Sequence, residues 1–103
     1  MDNYYGAYYN DGYHNITVQE KDESLFIDGS DHSMPFTMPL EQISKNSEFR
    51  GYLTEDDSVE DILRVSFCIE SGGKVSAIGI AFEQTLGDKH LIWFNRAWEI
   101  NLM

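Results

Sequence analysis

Few residues in this chain have the type and spacing to do chemistry. Ser71-Gly72-Gly73-Lys74 spaces a serine and a lysine like the nucleophile and base of serine-x-x-lysine acyl-transfer enzymes. Tyr8-Tyr9-Asn10 and Tyr13-His14-Asn15 both fit the tyrosine-x-asparagine pattern of the same chemistry. That chemistry wants its serine at the start of a helix, so that the lysine returns one turn later on the same side. Ser-Gly-Gly-Lys stands between two alternating apolar segments, where Gly72-Gly73 reads as a two-residue hairpin connection and the serine is solvated. Serine-hydrolase activity is therefore not expected.

Metal and thiol chemistry are equally thin. His14, His32 and His90 are far apart and lack a carboxylate at ligand spacing. The Asp56-Asp57 run lacks the glycine and the terminal glutamate of a calcium loop and reads as a solvated face. No metal or cofactor is expected. Cys68 alternates with apolar residues, as a buried or half-buried inert thiol does. With no partner cysteine there is no disulfide framework, which fits a reducing, cytoplasmic compartment.

Rings are the one surplus: six Tyr, six Phe and two Trp in 103 residues. They must be positioned by strands, because the chain alternates between apolar and polar residues and is punctuated by turns. Segments fall at Tyr4 to Asn10, Tyr13 to Glu20, Ser24 to Asp28, Met34 to Ile43, Glu48 to Leu53, Ile62 to Ser71, Lys74 to Glu83 and His90 to Trp98. Asn10-Asp11-Gly12, Lys21-Asp22-Glu23, Gly29-Ser30-Asp31 and Gly87-Asp88 separate them. Pro35 and Pro39 make the fourth segment irregular or an edge. The acidic stretch from Glu55 to Asp61 reads as a solvated loop, with a helix capped by Thr54 as the alternative.

About eight short antiparallel segments in one domain spanning residues 1–103 predict an all-β, eight-stranded up-and-down barrel, with a sandwich as the alternative. Such a barrel is either filled by side chains or holds one small ligand. The candidate walls are Phe36, Phe49, Phe67, Phe82, Phe94, Trp93 and Trp98, and Tyr8, Tyr13, His14, Glu20 and Tyr52 are the polar groups that would orient a ligand. His14 is the candidate general base, were the barrel to fold a reactive apolar substrate into one conformation and shift a proton. Ala77, Gly79 and Ala81 discriminate between the readings. Facing inward they leave room for a ligand; facing outward they suit packing against a neighbour.

Net charge is −11, from 18 acidic and 7 basic residues. A phosphate backbone or an anionic membrane would be repelled, so neither nucleic acid nor membrane is an expected partner. No apolar run approaches a membrane helix, and the start MDNYYGAYY has no signal-peptide pattern.

The order of these signals resembles a known module. Tyr5-Gly6-Ala7-Tyr8-Tyr9-Asn10 with Gly12-Tyr13, then Leu25-Phe26-Ile27-Asp28, Met38-Pro39-Leu40-Glu41, Phe49-Arg50-Gly51, Val65-Ser66-Phe67, Gly73-Lys74-Val75 and Ile92-Trp93-Phe94-Asn95-Arg96 are its matching features. Together they are similar to the lipocalin-like C-terminal domain of beta-lactamase-like, penicillin-binding-protein-like serine hydrolases. His14, Trp93 and the acidic insert resemble the fungal branch. The resemblance implies an accessory domain without the catalytic serine, able to cover an active site or mediate assembly; here it stands free, opening on Met1. It also implies a closure in which Gly6 and Tyr8 of the first strand meet Arg96 of the last, giving Arg96 a structural role. Three functions are open: a container for a small apolar or aromatic molecule, a cyclase or isomerase of natural-product metabolism, and an interaction module docking on itself or on a hydrolase.

Overall fold

The computed structural model describes residues 4–29, 35–44, 47–56, 58–83 and 90–97, and among them the only regular elements are strands. In chain order they are β1 (Gly6–Asn10), β2 (His14–Lys21), β3 (Ser24–Asp28), β4 (Thr37–Ser44), β5 (Glu48–Glu55), β6 (Ser58–Ile69), β7 (Val75–Ile80) and β8 (Ile92–Arg96). Each pairs antiparallel with the next, and β8 pairs with β1, so the sheet is a closed eight-stranded barrel. Closure removes every sheet edge, which explains how so many short strands remain in one sheet.

Local chemistry explains the turns. The Asn10 side-chain oxygen accepts the N–H groups of Gly12 (2.8 Å) and Tyr13 (3.0 Å), turning the chain between β1 and β2. Asp22 and Glu23 both take positive φ, as a two-residue hairpin requires, although neither is glycine. Between β6 and β7, Glu70 donates to the Lys74 carbonyl, so the connection is the three residues Ser71-Gly72-Gly73 rather than two. Pro39 lies in β4, where the ladder to β5 passes from Thr37↔Thr54 to Leu40↔Gly51 with a gap at the proline, which has no N–H to give. The expected loop at 55–61 is corrected. Ser58 to Asp61 is the exposed start of β6, paired with Leu53 to Glu55 in a hairpin whose exposed charges sit outside the core. The Gly87-Asp88 loop and the turn at 30–31 lie outside the described residues.

Alternation sorts the two faces. Ile16 and Val18, Leu25 and Ile27, Met38 and Leu40, Leu63 with Val65 and Phe67, and Ile78 with Ile80 all turn inward and are buried. Each strand thus contributes its apolar set to one interior.

Candidate functional site

The seam between β1 and β8 is the shortest ladder in the barrel, with two registered pairs, Tyr8↔Arg96 and Tyr9↔Asn95. Other groups extend it. The Ala97 N–H donates to the Ala7 carbonyl at 2.8 Å, and Asn10 Nδ2 donates to the Trp93 carbonyl at 2.9 Å. The Arg96 guanidinium lies under the end of the seam, 5.7 Å from the centre of the Tyr8 ring. It donates to the Tyr5 carbonyl and, at 3.1 Å, to that of Val75, so one side chain ties together the starts of β1 and β7. Gly6 is favoured by its backbone: its φ is +139°, while a Cβ there would stand in ordinary contact, 3.5 Å from two guanidinium nitrogens. Tyr8 is fully buried, its hydroxyl donating to the Tyr4 carbonyl at 2.8 Å, and burial pushes its pKa up to about 12 against the opposing pull of Arg96.

The interior between the strands is occupied by the protein's own rings. At the Arg96 end, Tyr4, Phe49 and Phe67 meet edge to face, with centroids 4.8–5.9 Å apart. At the opposite end Tyr13 stacks on Phe82 at 5.4 Å, with Phe36 and Phe94 edge-on around them. Tyr13 donates to Glu83 at 2.7 Å, a bond that raises its pKa. Between the two ring clusters the Met38 thioether fills the space in front of Gly51, only 2.4 Å from where a Cβ would be. Phe49 and Phe67 therefore stand in one packed set and Phe36 and Tyr13 in the other, while Tyr8 lies against Arg96.

Other expected wall residues stand elsewhere. Tyr52 points outward, donating to Glu41 Oε1 at 2.6 Å beside the Arg50–Glu41 ion pair; these two donors hold the Glu41 carboxyl below its ordinary range, the tyrosine bond foremost. Trp93 also points outward and is 43% exposed, because its neighbour Phe94 takes the inward position. Glu20 is exposed at the rim, accepting from the Tyr5 hydroxyl at 2.6 Å. Trp98, His32 and the His14 side chain lie outside the described residues. Cys68 corrects the expectation of a buried or half-buried thiol: it is exposed, on the outward face of β6 opposite Ala77. Among the described residues no three His, Cys, Asp or Glu side chains gather as metal ligands.

Two outer faces differ sharply. On β4, β5 and β6 the surface is charged: Arg50 pairs with Glu41, and Arg64 with Glu48, each at 3.1 Å. Glu48 also accepts from Ser66 at 2.7 Å; these bonds outweigh the effect of burial and hold its pKa below the usual value. Ile43 and Ile62 flank this face over an open depression of about 420 Å³. Within β7, β8 and β1 the sole charged residue is Arg96, turned in, but the Asp11 carboxylate just past β1 accepts from the Tyr9 hydroxyl and raises its pKa. The outward residues there are Ala77, Gly79, Trp93, Asn95, Ala7 and Tyr9, with Tyr9 46% exposed. The Trp93 ring lies against Gly79, 3.1 Å from where a Cβ would be. Ala77 and Gly79 lie on the outer side with Asn95 and Trp93, yet both are buried. Ala81, past the end of β7, is buried.

Comparison with curated proteins and with solved structures returns no match. No helix among the described residues is long and apolar enough to cross a membrane. The closed barrel and the Gly6–Tyr8–Arg96 closure span nearly the whole chain, and so does one family model: residues 1–96 match the domain of unknown function DUF3471, to which this chain belongs.

Proposed function

We propose that this barrel works by display rather than by storage: it is an interaction module that docks on a protein surface through its β7–β8–β1 face. The observation that carries this reading is an interior lined by the chain's own packed rings, combined with an exposed Trp and Tyr on strands that carry no carboxylate of their own. Protein interfaces are enriched in Tyr and Trp and depleted of charge at their centres. The resemblance to the lipocalin-like accessory domain of beta-lactamase-like hydrolases, in a fungal form, fits the same reading, since such a domain would act by covering or assembling. A compartment that keeps Cys68 reduced, the cytoplasm, suits an exposed thiol.

The container and cyclase readings need Met38 and one of the two ring clusters to move aside, and the packing favours neither. Native mass spectrometry of protein purified from its source tests the choice. The expected result is a chain free of small molecules and associated with protein. A small molecule released in stoichiometric amount overturns the docking reading.

A further inference from the structure

We propose that the edge of β4 that faces β3, past Pro39, takes a short extended segment of a protein partner as an added strand, with a lysine or arginine of that segment beside Glu41. This site is separate from the β7–β8–β1 face and does not rest on the docking reading there. Every strand has two neighbours, but the β3–β4 ladder stops short. Its registered pairs are Asp28↔Thr37, Ile27↔Met38 and Phe26↔Pro39. Past Pro39, Leu40 and Glu41 are registered with β5 alone, against Gly51 and Arg50. Across from them Ser24 and Leu25 are registered with β2 alone. An open depression of about 450 Å³ lies between, lined by Ser24 and Leu25 from one strand and Leu40, Glu41 and Gln42 from the other. The wall therefore has a slit whose two sides are strand edges.

The chemistry of the slit selects its occupant. A strand edge recognises another strand through main-chain hydrogen bonds, and its surroundings set which alternate side chains fit. Leu25, Leu40 and Phe49 are buried at the base of the slit, so the inward side chains of an added strand meet apolar surface. Glu41 stands on the outer side, with Glu23 on the turn beside it, and both are exposed. The two described donors to Glu41, Tyr52 and Arg50, both use Oε1, which leaves Oε2 for a further donor. A net charge of −11 also draws a cation rather than an anion to this rim. The fitting sequence thus alternates apolar with basic residues. The register of β4 shifts after Gln42, which confines the pairing to a few residues and keeps the contact weak.

The probe is the end-blocked peptide Lys-Val-Lys-Val-Lys, titrated to about 2 mM into the isotope-labelled protein and followed through amide NMR shifts. Saturable shifts are expected at Ser24, Leu25, Leu40 and Glu41, with a dissociation constant of about 0.1–1 mM. Glu-Val-Glu-Val-Glu is expected not to bind. Glu41→Gln should raise the constant about threefold, whereas Glu60→Gln, which removes the same charge from an exposed position on β6, should leave it unchanged. Glu23→Gln, on the exposed turn, takes the place of Glu41→Gln should that variant fail to fold. Peptides N-methylated at the valines or at the lysines keep their charge, and at least one of the two is expected to lose binding, because alternate N–H groups face the edge. No shifts at about 2 mM, shifts confined to the β7–β8–β1 face, or equal binding by the parent and both methylated peptides overturns the added strand. Equal effects of Glu41→Gln and Glu60→Gln overturn the place given to the basic residue. A failure here leaves docking through the β7–β8–β1 face standing, since native mass spectrometry tests that reading by itself.

Discussion

Replacing Arg96 by alanine tests the barrel closure most directly. The substitution removes two charge-assisted hydrogen bonds, to the carbonyls of Tyr5 and Val75, and the contact with the Tyr8 ring. Hydrogen bonds to a charged group contribute about 1.5–3 kcal/mol each, and a partly desolvated cation over a ring about 0.5–2 kcal/mol. Against this stands the cost of desolvating the guanidinium, which the variant recovers. The net loss should be about 3–5 kcal/mol, a large part of the roughly 5–15 kcal/mol that holds a domain together. Arg96→Lys keeps the charge, but a single ammonium reaches both carbonyls less well, so about half that loss is expected. Equilibrium urea unfolding followed by far-ultraviolet circular dichroism measures both, with an unchanged slope confirming that the same surface is exposed. Hydrogen exchange should rise first in β1 and β8, whose ladder has only two registered pairs. An Arg96→Ala protein within about 1 kcal/mol of wild type would refute the assignment of the seam to this residue.

Three further outcomes are expected. Because Tyr8 titrates near 12 in the fold and near 10 when exposed, its contribution of about 2–3 kcal/mol is present below pH 10 and lost between pH 10 and 12; an alkaline unfolding curve unchanged by Tyr8→Phe would contradict this. Glu48 is held below its ordinary pKa, so it stabilises the fold above about pH 4.5 and loses that effect as the pH falls further; Ser66→Ala should raise its carboxyl titration in a carbon-13 NMR series, and an unmoved titration removes the role given to Ser66. Gly51→Ala should cost about 1–3 kcal/mol through the clash with Met38, and a second change, Met38→Val, should recover part of it; strictly additive losses in thermal melts would mean the interior has spare room.

Much of the architecture was legible in local patterns. Strict alternation in Leu63-Arg64-Val65-Ser66-Phe67 and in Ile78-Gly79-Ile80 picked out the inner residues, all buried, while outer Ser66 and Gly79 are buried too, Ser66 bonded to Glu48 and Gly79 under the Trp93 ring. Asn10-Asp11-Gly12 announced its turn through side-chain chemistry visible in three letters. The start of β6 was hidden, because Ser58-Val59-Glu60-Asp61 has no apolar face to show; it is a strand only because β5 lies alongside to accept it. The site was harder to read than the fold. Trp93 and Phe94 are adjacent rings, and one-residue parity alone decides which of them faces in. Tyr52 reads as one of the polar groups facing a ligand because composition cannot reveal that Gly51 and Leu53 hold the inward positions on β5. The lack of carboxylates within β7, β8 and β1 was visible in the letters of three strands, but only their adjacency around the barrel joins them.

The seam also sets an order of events during folding. Seven of the eight ladders join neighbours in the chain, and such hairpins form by short, entropically cheap loop closures. The β1–β8 ladder joins residues about ninety positions apart and holds only two registered pairs of its own, so it belongs late, after the other strands have lined up and brought Arg96 back beside Tyr8. Until that moment the chain is an open ribbon with two bare edges, each able to pair with the wrong molecule. The arginine at the seam therefore governs the interval in which a newly made chain is most vulnerable to aggregation.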